Sequence, residues 1–117
     1  MNVMNFIITD KYVLGVLAKI GYSKLPTTYD EVLTYLKTKE QLEVYTKKDD
    51  MPEFSWNYGF VRNPIWCVGI HELYLPKDSQ LGLIWECYYT QKQALDGGIS
   101  KACEIILNEN GLYTNKK

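Results

Sequence analysis

The sequence predicts one α+β domain, an antiparallel meander of three or four strands packed with helices, in the order α-α-β-β-β-β-α. Three observations carry that expectation. Two capping boxes, Thr28 to Glu31 and Thr90 to Gln93, each open an apolar run at helical spacing. Between them, Leu42 to Tyr89 holds aromatic-rich extended runs punctuated by Pro, Asn and Asp. The chain of 117 residues is 46% apolar and 23% charged, enough to bury a core without metal or disulfide staples.

The chain begins strand-like or irregular through Ile8. A first helix follows, with Thr9 as its cap and Tyr12, Val13, Val16, Leu17 and Ile20 on its apolar stripe. Gly21 suits its stop. The second helix starts at the Thr28 capping box, buries Val32, Leu33 and Leu36 with Tyr29 or Tyr35 at the margin, and ends between Lys37 and Gln41. Residues 1–25 read as a helical extension, 26–110 as the helix–sheet–helix core and 111–117 as a tail.

Four strands are expected. Leu42 to Thr46 is the first, closed by a polar turn from Lys47 to Pro52. Phe54 to Val61 alternates, with Phe54, Trp56, Tyr58 and Phe60 on one side. Ile65 to Leu75 places Trp66, Val68, Ile70 and Tyr74 on one face, and Leu81 to Tyr89 is the last strand. Neither face of the last two strands is polar, so helices are expected on both. The final helix carries Leu95, Ile99, Ala102 and Ile106 as its stripe. Its Gly97-Gly98 pair costs about 1 kcal/mol per glycine relative to Ala, a cost that close packing on the sheet would offset.

Residues Pro26 to Leu107 resemble small helix–sheet–helix proteins of bacterial phages and mobile elements. The matching residues are Thr28-Tyr29-Asp30-Glu31-Val32-Leu33, then Thr90, Ala94, Leu95, Ile99 and Ala102. The outline is also similar to phage sandwich domains in which a sheet lies between helices. The resemblance implies a fold and a mobile-element origin. It implies no activity.

Composition narrows the function. Net charge is −1, from 13 basic and 14 acidic side chains. A phosphate-binding surface needs a basic surplus or stripe, whereas Lys37, Lys39, Lys47 and Lys48 are interleaved with Glu40 and Glu43 and followed by Asp49 and Asp50. The helix–strands–helix order is shared with double-stranded RNA-binding domains, which grip phosphates from their last helix. Here that position offers Lys101 followed by Ala102, Cys103 and Glu104, so nucleic acid is not the expected partner. Cys67, Cys87 and Cys103 are widely spaced and lack a CxxC motif, which points to thiols in a reducing cytoplasm rather than a disulfide framework. One His and three scattered Cys give no metal-ligand spacing, no phosphate-cradling glycine loop is present, and no cofactor is expected.

An enzyme would have to use His71. Glu72 beside it points to the opposite face of the strand, Glu86 approaches only in a favourable register, and Cys67 lies about 13 Å along the strand. A half-exposed strand histidine is the plainer reading, and no catalytic residue is assigned. The favoured reading is a non-enzymatic accessory or protein-interaction module. Trp56, Tyr58, Phe60, Trp66, Tyr74 and Trp85, with Tyr88 and Tyr89, outnumber what one small core needs, and a contiguous exposed aromatic patch marks an interface. The competing expectation is that the first helix covers this patch. The partner is then a protein, a second copy forming a homodimer being the simplest.

Overall fold

The computed structural model describes residues 3–49, 53–55, 59–61, 65–73 and 86–108. The fold is α+β, built on antiparallel strands. Helices α1 (Lys11–Lys19) and α2 (Tyr29–Lys39) precede β1 (Leu42–Asp49), β2 (Glu53–Ser55), β3 (Gly59–Val61), β4 (Ile65–Glu72) and β5 (Glu86–Tyr88), and α3 (Gln91–Leu107) follows.

Both capping boxes form as expected. Glu31 N–H donates to Thr28 Oγ1 (3.2 Å) and Thr28 N–H to Glu31 Oε1 (2.9 Å). At α3 the reciprocal pair joins Thr90 and Gln93 at 3.1 and 3.2 Å. The cap of α1 differs from expectation. Asp10, not Thr9, accepts the Val13 N–H at 3.0 Å. A carboxylate combines cap geometry with favourable charge at the positive helix end.

Gly21 ends α1 with φ +94°. Its N–H donates to Ala18 O and that of Tyr22 to Leu17 O, each at 3.0 Å. This pairing is a Schellman motif, which folds Tyr22 back over Leu17. The N-terminal segment makes a short turn at Val3–Asn5, and Ile7 then bridges Thr28. Ile8 N–H donates to Thr27 O (2.9 Å) and Tyr29 N–H to Phe6 O (3.2 Å), stitching the start of the chain to the start of α2.

The strand arrangement departs from a simple meander. β1 pairs along its whole length with β4, and β4 pairs with β5, giving the order β1-β4-β5. β2 and β3 pair with each other. The run expected as one strand from Phe54 to Val61 is therefore two short strands, with Phe54 opposite Phe60 and Ser55 opposite Gly59. The three residues between the two strands, 56–58, lie outside the described residues. β1 also outlasts its expected end at Thr46. Lys47 and Lys48 stay in the ladder opposite Cys67 and Trp66, because cross-strand pairing decides strand extent more than side-chain polarity does. β4 is described at Ile65–Glu72, with Leu73 N–H still donating to Gln41 O at 2.8 Å, and the last two residues of the run expected to reach Leu75 lie outside the described residues. The expected last strand is described at Glu86–Tyr88, and its residues 81–85 lie outside the described residues. So does the 111–117 tail.

Strand parity sorts the three-stranded sheet into two faces. Leu42, Val44, Val68 and Ile70 are buried in the core, with Trp66 and Tyr88 packed against it. The helices complete that cluster through Val13, Val16 and Leu17 of α1, Tyr29, Val32 and Leu36 of α2, and Ala94, Leu95, Gly98, Ile99, Ala102, Cys103 and Ile106 of α3. The glycines of α3 serve the close approach. A Cβ on Gly98 would stand 2.6 Å from Val68 Cγ2 and 2.8 Å from Val44 Cγ1, and one on Gly97 would collide with the Tyr88 hydroxyl. Tyr12, expected on the α1 stripe, is 60% exposed and donates to Glu104 Oε2 at 2.9 Å. Its polar tip makes a bridge from α1 to α3 worth more than burying an unsatisfied hydroxyl.

Candidate functional site

The opposite sheet face presents Glu43, Tyr45 and Lys47 of β1 and Cys67, Gly69 and His71 of β4, none of which belongs to the helix-built core. Glu43 stands opposite His71, with Oε1 3.9 Å from Nδ1, and its Oε2 is 3.5 Å from Lys37 Nζ. The Tyr45 ring lies 4.6 Å from the imidazole, centroid to centroid. It also covers the Gly69 backbone, where an added Cβ would strike its phenol. Partial burial, helped by the Glu43 charge, raises the Tyr45 pKa.

The carboxylate beside His71 thus comes from β1, not from Glu72 or Glu86. Glu86 is opposite Val68, two residues out of step with Ile70 and on the other parity from His71. Cys67 is fully buried and keeps its four-residue separation from His71. This face assembles a charge-balanced, half-exposed cluster. Among the described residues, it does not bring a Cys or Ser to the histidine. Lys101, the residue an RNA reading would use, sits 3.5 Å from Glu104, and Lys92 pairs with Asp96 at 3.3 Å.

A second concavity lies where the chain turns from α1 into α2. It is open to solvent, has a volume of about 580 Å³, and is lined by Tyr22, Ser23, Lys24, Glu31, Thr34 and Tyr35 among others. Its aromatic floor is an edge-on pair, Tyr22 against Tyr35, with centroids 4.9 Å apart and planes at 67°. Hydrogen bonds fix the floor and rim together. The Tyr22 hydroxyl and Thr27 Oγ1 share one bond at 2.6 Å, and Thr27, completely buried, donates to Glu31 Oε1 at 3.1 Å. Lys24 Nζ donates to Glu31 Oε2 at 2.8 Å. That ammonium, followed by the Thr28 N–H, holds the Glu31 carboxyl down to about 2.

The groove is not legible in the sequence alone. Tyr22 to Pro26 reads as a plain connection, and Tyr35 as marginal. A signal is present in α2 itself: Asp30 with Thr34, and Glu31 with Tyr35, are spaced four apart and form a mixed stripe beside the apolar one. The groove needs more than that stripe, because the Schellman turn at Gly21 brings in its other wall.

Of the aromatic residues expected at a partner surface, Trp66 is half-buried on the helix-bearing face, and Phe60 is placed by its pairing with Phe54. Trp56, Tyr58, Tyr74 and Trp85 lie outside the described residues. Tyr89 is 43% exposed at the entry to α3, and Phe6, Ile7 and Leu25 are also exposed. The first helix makes its close contacts with α3, through the cluster that it shares with it. Among the described residues, no group of His, Cys, Asp and Glu is arranged to hold a metal ion, and no helix is long and apolar enough to cross a membrane. No family model matches the chain, and no curated protein or solved structure matches it.

Proposed function

We propose that the protein is a non-enzymatic interaction module whose groove beside α2 receives a protein partner, either another protein or a second copy of this chain. The observation that carries this reading is the fixed Tyr22–Tyr35 floor. Tyr22 is 7% exposed and Tyr35 half-buried, so the pair presents a small but rigid aromatic surface with little side-chain entropy left to lose on binding. The polar rim of Lys24, Glu31 and Thr34 adds hydrogen-bonding groups around it, the arrangement typical of a recognition site. The Glu43–His71 pair supports the non-enzymatic part, since its neighbours among the described residues are a lysine and a tilted tyrosine ring. An accessory role is compatible with the likeness to mobile-element proteins.

Thr34 is exposed on α2 and lines the groove, so Thr34→Arg fills it with little effect on the core. Sedimentation at micromolar concentration, alone and with host lysate, compares this variant with the parent chain. The reading expects self-association or a captured protein with the parent and its loss with Thr34→Arg at unchanged Tm. A parent chain that stays monomeric and captures nothing overturns the module. Equal binding by both overturns the groove as its site.

A further inference from the structure

We propose that Cys67 and Cys87 are a redox-active thiol pair that closes to a disulfide across β4 and β5 when a peroxide is supplied. The two residues are register partners, held in step by Trp66 opposite Tyr88 on one side and Val68 opposite Glu86 on the other. Directly opposed residues of antiparallel strands have Cα atoms about 4.5–5.5 Å apart. A disulfide spans about 4.4–6.8 Å between Cα atoms, so the backbone already supplies the separation that the bond needs. Every register pair of the ladder meets that condition, and this is the pair of β4 and β5 in which both positions are cysteine.

The third thiol is placed apart from this pair. Cys103 belongs to the core cluster on the helix-bearing face, with Val68 and Ile70. Cys67 has the opposite strand parity and is absent from that cluster. The sheet therefore stands between Cys103 and Cys67. Cys67 is fully buried, which favours a bond within the chain over one between molecules.

The chemistry is a two-electron oxidation. One thiolate attacks a peroxide oxygen, the O–O bond breaks, and a sulfenic acid forms as the other oxygen leaves as water. The second sulfur then displaces the sulfenic hydroxyl, forming S–S and breaking S–O, and a second water carries off its proton. The sulfur pair loses two electrons and hydrogen peroxide gains them. In a reducing compartment such a bond is transient, as a regulatory or sensing disulfide must be. Its structural consequence falls on β5, which is three residues long and bonded to the sheet through β4. A covalent tie at its middle residue fastens the strand that leads into α3.

Peptide mapping of the folded full chain tests the pair. The protein is treated with hydrogen peroxide, then denatured, alkylated and cut with trypsin, which places Cys67 in residues 63–77 and Cys87 in 78–92. The expected product is lighter by two hydrogens, links those two peptides, and alkylates at Cys103 alone; dithiothreitol restores three alkylated thiols. The bridge should persist in Cys103→Ser and vanish in Cys87→Ser, and oxidation should raise the Tm of the parent chain. Three alkylated thiols after oxidation, a bridge that includes Cys103, a bridge between molecules, or sulfinic acid without a bridge would each overturn the proposal. Because the parent chain alone distinguishes these outcomes, a variant that fails to fold does not obscure them.

Discussion

The Tyr29 hydroxyl donates to Asp96 Oδ1 at 2.6 Å, joining the first turn of α2 to the middle of α3 across sixty-seven positions of sequence. The Tyr29 residue is entirely buried, and the Asp96 side chain, 15% exposed, also takes Lys92 Nζ at 3.3 Å. Burial, reinforced by the Asp96 bond and charge, raises the phenol pKa, which keeps the hydroxyl a donor at neutral pH. One charge-assisted bond thus sets the spacing of two helices that share the core.

Tyr29→Phe should therefore destabilise the fold while keeping the ring's packing. A hydrogen bond to a charged group contributes about 1.5–3 kcal/mol, and the lower part of that range is expected because Lys92 still pairs with Asp96. Urea denaturation measures the loss. A double-mutant cycle with Asp96→Ala should recover most of it as coupling energy; near-additive losses would show that the two helices are held by packing alone.

Alanine at two glycines should act in opposite directions. Gly98→Ala drives a Cβ to within 2.6 Å of Val68 and 2.8 Å of Val44, both core side chains on strands. Overpacking of this kind costs about 1–3 kcal/mol, which exceeds or cancels the gain of about 1 kcal/mol in helix propensity. Gly15, on an exposed part of α1, has nothing within 4 Å of its virtual Cβ. There the propensity gain stands uncontested, so Gly15→Ala should raise Tm. Thermal melts of the two variants beside the parent chain settle the signs.

Gly21→Ala should lower Tm although its Cβ also meets open space. The difference is backbone conformation. At φ +94° a side chain crowds the following carbonyl, a strain of about 1–2 kcal/mol. Comparison with Gly15→Ala inside α1 isolates that strain from crowding. The same variant should loosen the groove, since Tyr22 reaches Tyr35 only through the turn at Gly21.

Local chemistry made the helices legible. Thr28 and Thr90 with their partners three residues on fix two helix starts, and the Gly97-Gly98 pair marks the surface that lies against the sheet. Strand pairing was less legible. Lys47 and Lys48 look like a turn until Cys67 and Trp66 are known to face them, and that is a contact between distant parts of the chain. The alternation from Phe54 to Val61 fits one strand as well as the two halves of a pair, because the period does not record where the chain reverses. The groove was hidden for the same reason: Tyr22 and Tyr35 belong to different elements, and only the turn at Gly21 makes them neighbours. Tyr12 shows the converse, a residue at core spacing drawn outward by Glu104.

Acid should unfold the protein partly through Glu31. Its carboxyl is held near 2 in the folded chain, against an ordinary value of 4.5, first by Lys24 and then by the Thr28 N–H. A group with a depressed folded-state pKa favours folding wherever it is ionised in both states, so its contribution is complete above about 4.5 and disappears as pH falls through about 2. Glu31→Gln keeps an acceptor for the capping box but removes the charge. The gap in Tm between this variant and the parent chain should be constant near neutrality, shrink between pH 4.5 and 2, and close below that window. Because Lys24 and Glu31 lie at the surface, added salt should narrow the neutral-pH gap as well. A gap independent of pH would mean that the carboxylate's geometry, rather than its charge, holds the start of α2.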